Sequence, residues 1–202
     1  MHQKFKKILM AVLILFLLLV FTIVFLFRFI PIPTTPYMIS ETSNHGSISY
    51  SWINLKDMSE SIPLSVVAAE DANFCNHWGF DLVAIRSVIE QGSKRGASTI
   101  SQQVVKNLFL WPQRSWIRKI LEAILTPIIE FSWSKKRILE VYLNVAEFDR
   151  GIFEIEQASK QLFGVSSSKL SLQQAALLAA VLPNPKQRSV LNPSKFIQKR
   201  AL

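Results

Sequence analysis

Two adjacent carboxylates, Glu70 and Asp71, close the apolar run Val66-Val-Ala-Ala and lead into Asn73-Phe74-Cys-Asn-His77-Trp78-Gly79. If that run is a helix, its C-terminal end carries partial negative charge, which together with apolar neighbours favours the protonated form of one acid. A carboxyl so placed accepts a proton better than an exposed one, which makes it a candidate general base. Two exposed acids, or Asp71 capping the next loop, would explain the pair without catalysis.

A second group is Gly96-Ala-Ser98-Thr99-Ile100-Ser-Gln102-Gln103-Val-Val-Lys106-Asn107-Leu108. On a helix Ile100, Val104 and Leu108 share one face, and Thr99, Gln102, Gln103 and Lys106 gather on another. Hydroxyls, amides and an ammonium at a helix N-terminus can hold a phosphate or a sugar. An ordinary amphipathic helix with a wet side has the same pattern. Gly96-Ala-Ser98 lacks the glycine that would complete a hydrolase elbow, which speaks against a nucleophilic serine.

The third group is Arg114-Ser-Trp-Ile-Arg118-Lys119-Ile-Leu-Glu122. Arg118 and Glu122 are spaced for a helix-surface ion pair worth about 0.2–0.5 kcal/mol. A carboxylate beside several cations could equally hold a divalent metal or orient the cations. Lys136-Arg137-Ile-Leu-Glu140-Val-Tyr142-Leu-Asn144 is an amphipathic pattern whose polar members can be purely structural.

The elements that must carry these groups are helices. Ser61 is a candidate N-cap, with Pro63 in the first turn, for a helix over Leu64–Asp71. Asp81 can cap a helix bearing Leu82, Ile85, Val88 and Ile89. Thr99-Ile-Ser-Gln102 fits a capping box for a helix to about Leu110. Ser115 starts another through Phe131, with a kink expected at Pro127, and Ser134 opens Lys135–Asn144. Glu154–Phe163 stops at Gly164. Ser171-Leu-Gln-Gln174 caps a helix to about Leu182, ended by Pro183 and Pro185. Only Ser47–Ile53 hints at a strand, so the class is mainly α.

Ahead of them, 20 residues between Lys7 and Arg28 contain Thr22 as their one polar member. At about 1.5 Å per residue they reach roughly 30 Å, the thickness of a hydrocarbon core. A signal peptide would have a shorter apolar region and a small-residue cleavage site, which Arg28-Phe29-Ile30-Pro31 does not offer. The expected organisation is a basic cytoplasmic tail at 1–7, a transmembrane anchor at 8–27, a juxtamembrane spacer at 28–49 and a catalytic domain at 50–202. Lys4, Lys6 and Lys7 favour a cytoplasmic N-terminus, with the body on the outer side.

The net charge is +9. Residues 91–139 hold nine Lys and Arg against Glu122 and Glu130 alone. Such a stretch suits a solvated face or a patch that touches anionic lipid headgroups; nucleic acid is a third option, though a membrane-tethered outer domain seldom meets it. Cys75 is the only cysteine, so there is no disulfide framework or thiolate metal site. His2, His45 and His77 have no metal-ligand spacing.

The order of the motifs adds what none carries alone. Glu70-Asp71-x-x-Phe74-x-x-His77-x-Gly79-Phe-Asp81, Gly96-x-Ser98-Thr99-Ile100-x-Gln102-Gln103-x-x-Lys106-Asn107-Leu108, Arg118-Lys119-x-x-Glu122-Ala123 and Arg137-Ile-Leu-Glu140-x-Tyr142-Leu143-Asn144 together closely resemble the peptidoglycan glycosyltransferases, glycosyltransferase family 51, over residues 50–195.

The resemblance implies a lysozyme-like, mainly α catalytic domain with a membrane-proximal jaw lobe. It implies polymerisation of lipid II and a lipid-linked glycan strand at the periplasmic face of the inner membrane, with division or elongation proteins as partners and no nucleic acid. Glu70 would be the general base and Glu122 the second essential carboxylate. Asp71, Ser98, Thr99, Gln102, Gln103, Lys106, Asn107, Arg118 and Lys119 would contact substrate. A divalent cation, Mg2+ or Mn2+, would be held near Glu122 if one is used, with no organic cofactor. A lytic transglycosylase or muramidase, or a non-catalytic membrane scaffold, are the alternatives. The chain departs from the family at Glu154-Ile-Glu156-Gln-Ala, where Gly-x-Glu-Ala-Ala is usual, so altered packing is expected there. It also reaches Leu202 soon after Asn192-Pro193-Ser194, where relatives generally continue through a terminal helix.

Overall fold

The computed structural model describes residues 2–46, 48–91 and 98–202; the sequence-based reading of Gly96 falls outside them. The chain divides into two compact units, Met1–Ile32 and Pro33–Leu202.

The first unit is helix α1 (His2–Phe27), long and apolar enough to cross a membrane. Ile8, Leu9, Leu15 and Leu18 are each more than half exposed, and a helix apolar on every side suits lipid rather than water. Its one mid-helix hydroxyl is satisfied internally, since Thr22 Oγ1 donates to the Leu18 carbonyl at 2.8 Å.

In the second unit follow α2 (Pro36–His45), α3 (Ser61–Glu70), α4 (Leu82–Gln91), α5 (Ile100–Phe109), α6 (Trp116–Ser132) and α7 (Lys135–Val145). After α7 come strands β1 (Glu147–Asp149) and β2 (Ile152–Phe153), then α8 (Ile155–Phe163), α9 (Leu172–Val181) and α10 (Lys195–Arg200). Helix α5 packs on α2, α6 and α7, while α3 packs on α9 and α9 on α10. Ile100, Val104 and Val105 of α5 and Ile138, Val141 and Leu143 of α7 are fully buried at the centre. Two helices that bear motif residues, α5 and α7, are thus also the core.

Local chemistry sets the boundaries. Capping boxes form at Thr99–Gln102 and Ser171–Gln174, and Asp81 Oδ1 accepts from the Ala84 amide at 2.9 Å. Gly164, at φ 70°, ends α8 in the left-handed conformation that favours glycine. At the start of α3 the cap position falls to Glu60 rather than Ser61, with no side-chain bond. Helix α6 continues through Pro127; the carbonyl that loses its partner belongs to Ala123, an exposed residue.

Residues 48–53 form no strand. The strands are instead a short antiparallel hairpin, pairing Glu147 with Phe153 and Asp149 with Ile152 across an irregular register. Within the stretch 28–49, expected as a spacer, Thr35 accepts from the Met38 amide and starts α2, which packs on α5.

Candidate active site

The C-terminus of α3 and the N-terminus of α5 are fastened by Asp71. Its Oδ2 accepts from the Ile100 amide at 2.9 Å, and its carboxylate takes His77 Nε2 at 2.9 Å. Because His77 Nδ1 accepts from the Gly79 amide at 3.1 Å, the neutral ring carries its proton on Nε2 and donates it to Asp71. Thr99 Oγ1 donates to the Gly79 carbonyl at 2.7 Å. Gly79, at φ 88°, admits no side chain, since a Cβ would lie 2.5 Å from Thr126 Cγ2. Asp71 and Thr99, with Gln102 through its Oε1 in the capping box, hold this framework.

The framework presents Glu70 at the end of α3, its side chain 7% exposed. Gln103 Nε2 donates to Glu70 Oε2 at 2.9 Å, and Tyr142 OH donates to Gln103 Oε1 at 3.1 Å. Arg200 of α10 donates to the Ala69 carbonyl at 2.8 Å and lies 3.5 Å from Glu70 Oε1. Burial pushes the Glu70 carboxyl above the usual carboxylate range; Gln103, Arg200, Arg188 and Lys106 pull it back. The buried Tyr142 phenol is held far above its ordinary value by desolvation and by Glu70 and Asp71, so it stays a donor.

The second carboxylate stands on α6. Glu122 is 3% exposed and takes Lys119 at 2.5 Å and Arg118 at 3.4 Å. Lys119 Nζ also donates to Ser98 Oγ at 3.0 Å, and Arg118 Nε to the Gln113 carbonyl at 3.0 Å. The Arg118–Glu122 spacing thus marks a buried pair, not a surface one. Arg114, Ser115, Trp116, Arg118 and Lys119 line a groove at this end of α6.

Lys106 differs from its neighbours: among the described residues it makes no ion pair, although its ammonium feels Arg118, Glu122, Glu70 and Lys119. Burial lowers its pKa, with Arg118 and Lys119 adding to the effect. Beside it, the Asn107 Oδ1 is buried without a hydrogen-bond partner.

Arg200, Arg188 and Tyr142 were not singled out from sequence, although Tyr142 lay within the fourth motif. That motif otherwise serves the frame: Glu140 accepts from the Leu55 amide at 2.8 Å, and Asn144 exchanges bonds with the backbone of Ile53.

As a donor set for a divalent ion the surroundings of Glu122 are poor. Both its oxygens face cations, and among the described residues no three His, Cys, Asp or Glu side chains converge.

The mainly α domain thus sets the buried carboxyl of Glu70 within the field of Lys106 and Arg200, which offers what glycosyl transfer needs, a base for a hydroxyl and positive charge for an anionic leaving group. The family model described as transglycosylase matches residues 38–202. The chain belongs to that family. It is 54% identical over 172 residues to a protein of Jannaschia sp. (strain CCS1) named biosynthetic peptidoglycan transglycosylase, covering 85% of this chain and 72% of the relative. It is similar to proteins of the same name in Mannheimia succiniciproducens, at 48% over 209 residues covering 98% and 86%, and Caulobacter vibrioides, at 46% over 181 residues covering 88% and 79%.

Proposed function

We propose that this chain is a peptidoglycan glycosyltransferase that polymerises lipid II into β-1,4-linked glycan, with Glu70 as base. Glu70 takes the proton of the acceptor 4-hydroxyl as that oxygen attacks the anomeric carbon of the lipid-linked chain. The bond from that carbon to the diphosphate breaks in the same displacement, inverting α to β, and undecaprenyl diphosphate leaves. A sugar hydroxyl barely ionises at neutral pH, so a positioned carboxylate contributes about 10²–10⁴-fold.

The observation that carries this reading is Lys106, an ammonium that among the described residues has no carboxylate of its own and that feels Arg118 and Lys119. Charge growing on a departing diphosphate is what such a set stabilises more in the transition state than in the ground state. Cleaving a finished glycan releases no diphosphate, so a lytic enzyme would have no use for it. Glu122 orders Arg118 and Lys119 in this scheme, and no step runs through a metal.

A membrane location is supported from two sides. Helix α1 is long and apolar enough to span a bilayer. Helix α6 turns Arg118, Glu122 and Glu130 inward and leaves Ile117, Ile120, Ile124 and Phe131 more than half exposed, an apolar stripe suited to lipid. With Lys4, Lys6 and Lys7 in the first turns of α1, the catalytic unit lies on the outer face, where both lipid-linked substrates would be presented.

Labelled lipid II incubated with the full chain in detergent, with and without a chelator, tests the reading. Glycan strands are expected in both arms. Soluble muropeptides released from purified sacculi, with lipid II unconsumed, would overturn it in favour of a lytic enzyme.

A further inference from the structure

Tyr37, near the start of α2, lines a small cavity of about 70 Å³ together with Lys106, Asn107 and Pro112. Polar groups from separate parts of the chain hold it there. Its hydroxyl donates to Glu147 of β1, whose other oxygen accepts from the Gly151 amide at 3.0 Å. Lys186, beyond α9, pairs with Glu41 of α2 at 2.7 Å, stands 3.8 Å from Glu147, and lies 5.5 Å from the centroid of the Tyr37 ring. The Phe153 ring meets the Tyr37 ring edge-on at 5.3 Å. Both carboxylates are at most 5% exposed, so this is a built, desolvated joint between α2, the hairpin and the loop after α9.

The cavity wall that Tyr37 completes holds two polar residues of α5, Lys106 and Asn107. Among the described residues Lys106 makes no ion pair, and Asn107 Oδ1 is buried without a donor. An orphaned carbonyl beside an unpaired ammonium suits a ligand carrying an anionic oxygen and an adjacent hydroxyl or amide N–H. A sugar diphosphate has both.

We propose that Tyr37, clamped by Glu147 and Lys186, is a positioning residue that sets the wall beside Lys106 and Asn107 and thereby tightens binding of the diphosphate end of the lipid-linked substrate. Helix α2 is then part of the substrate site rather than a spacer. The proposal rests on the reading that Lys106 meets a diphosphate.

Inorganic pyrophosphate, titrated calorimetrically into the full chain in detergent, is the probe. Tyr37→Ala weakens its binding by roughly threefold to tenfold, and Tyr37→Phe, which keeps the ring, recovers part of the loss. With lipid II, Tyr37→Ala raises KM by a similar factor and leaves kcat within about twofold, because a positioning wall acts on ground and transition states alike. Glu147→Gln reproduces the Tyr37→Phe result with an unchanged far-UV circular dichroism spectrum, which separates loosening from misfolding. In a Lys106→Met background the Tyr37→Ala effect shrinks toward zero, because both act on one pocket. Wild-type pyrophosphate affinity in Tyr37→Ala, or the same loss with and without Lys106, overturns the proposal while leaving the function intact. If instead Lys106→Met binds pyrophosphate and polymerises like the wild type, the diphosphate reading itself falls, and this proposal with it.

Discussion

Gln103 donates from Nε2 to Glu70 Oε2 at 2.9 Å while its carbonyl oxygen takes the Tyr142 hydroxyl at 3.1 Å, so the amide can face the carboxylate only one way round. The carboxylate accepts only donors and the phenol is locked as a donor, which fixes which end of the amide meets which. Glu70 is therefore oriented from α5 and α7 even though it sits at the last position of α3. Orientation and a raised proton affinity come from the same burial.

Glu70→Gln is the first consequence. The amide keeps the shape and loses the base, so polymerisation falls by about 10²–10⁴-fold. Because burial raises the pKa of Glu70 in the folded state, its ionised form costs stability at neutral pH, and removing it leaves the melting temperature at pH 7.5 unchanged or higher. Unaltered strand synthesis, followed on gels with labelled lipid II, would remove Glu70 from the mechanism.

Arg200 acts on the same group with opposite sign. Its positive charge 3.5 Å from Glu70 favours the carboxylate. Arg200→Met should therefore move the acidic limb of the kcat/KM profile to higher pH, since a base with a higher pKa is lost earlier as pH falls. Arg200→Lys should bring the limb part of the way back. A pH–rate series on the three proteins reads this directly, and superimposable profiles would assign Arg200 to α10 packing alone.

Lys106→Met should lower kcat by about 10²–10³-fold, the scale seen when one preorganised donor to a developing anion is lost. Ser98→Ala should cost far less. It removes one contact of Lys119 and leaves the 2.5 Å pair with Glu122. Single-turnover measurements on the two variants, compared with wild type, check the ranking.

What could be seen in the sequence was what is local. The Thr99 and Ser171 capping boxes, the Asp81 cap and the Gly164 stop each depend on residues within one turn, and each formed. Arg200 could not be seen, because it reaches the Ala69 carbonyl from 131 residues away. The i, i+4 spacing of Arg118 and Glu122 was visible but not its burial, since α6 turns its charged face inward and its apolar face out. Strands of three and two residues, like β1 and β2, are too short to show alternation. Helix α2 did carry a local signal, Thr35 before Pro36 at the first turn, hidden by the neighbouring prolines.

The exposed stripe of α6 makes a prediction about environment. Ile120→Glu with Ile124→Glu places two charges where lipid is expected, on the exposed face of α6, whereas Arg118 and Glu122 of the same helix are buried. Activity in proteoliposomes should fall several-fold relative to wild type, while activity in detergent micelles stays within about twofold. Equal losses in both media would mean that the stripe supports the fold rather than meeting the membrane.

Glu154 carries the last prediction, and the backbone supplies its reason. It adopts φ 71°, ψ 140°, a conformation that favours glycine, where the family usually has the glycine of Gly-x-Glu-Ala-Ala. A non-glycine residue held there costs about 1–3 kcal/mol. The side chain partly compensates by capping α8, accepting from the Glu156 and Gln157 amides, a contribution of about 1 kcal/mol. Desolvation nevertheless pushes the carboxyl up to about 7. The folded state thus holds a proton that the unfolded chain gives up near pH 4.3, so stability is lost as pH rises from about 4 to about 7. Glu154→Gly relieves the backbone at every pH and removes the buried charge only where it exists. Its gain in melting temperature should be larger at pH 8 than at pH 4.5, and a larger gain at pH 4.5 would show that the carboxylate stabilises α8 more than its burial costs.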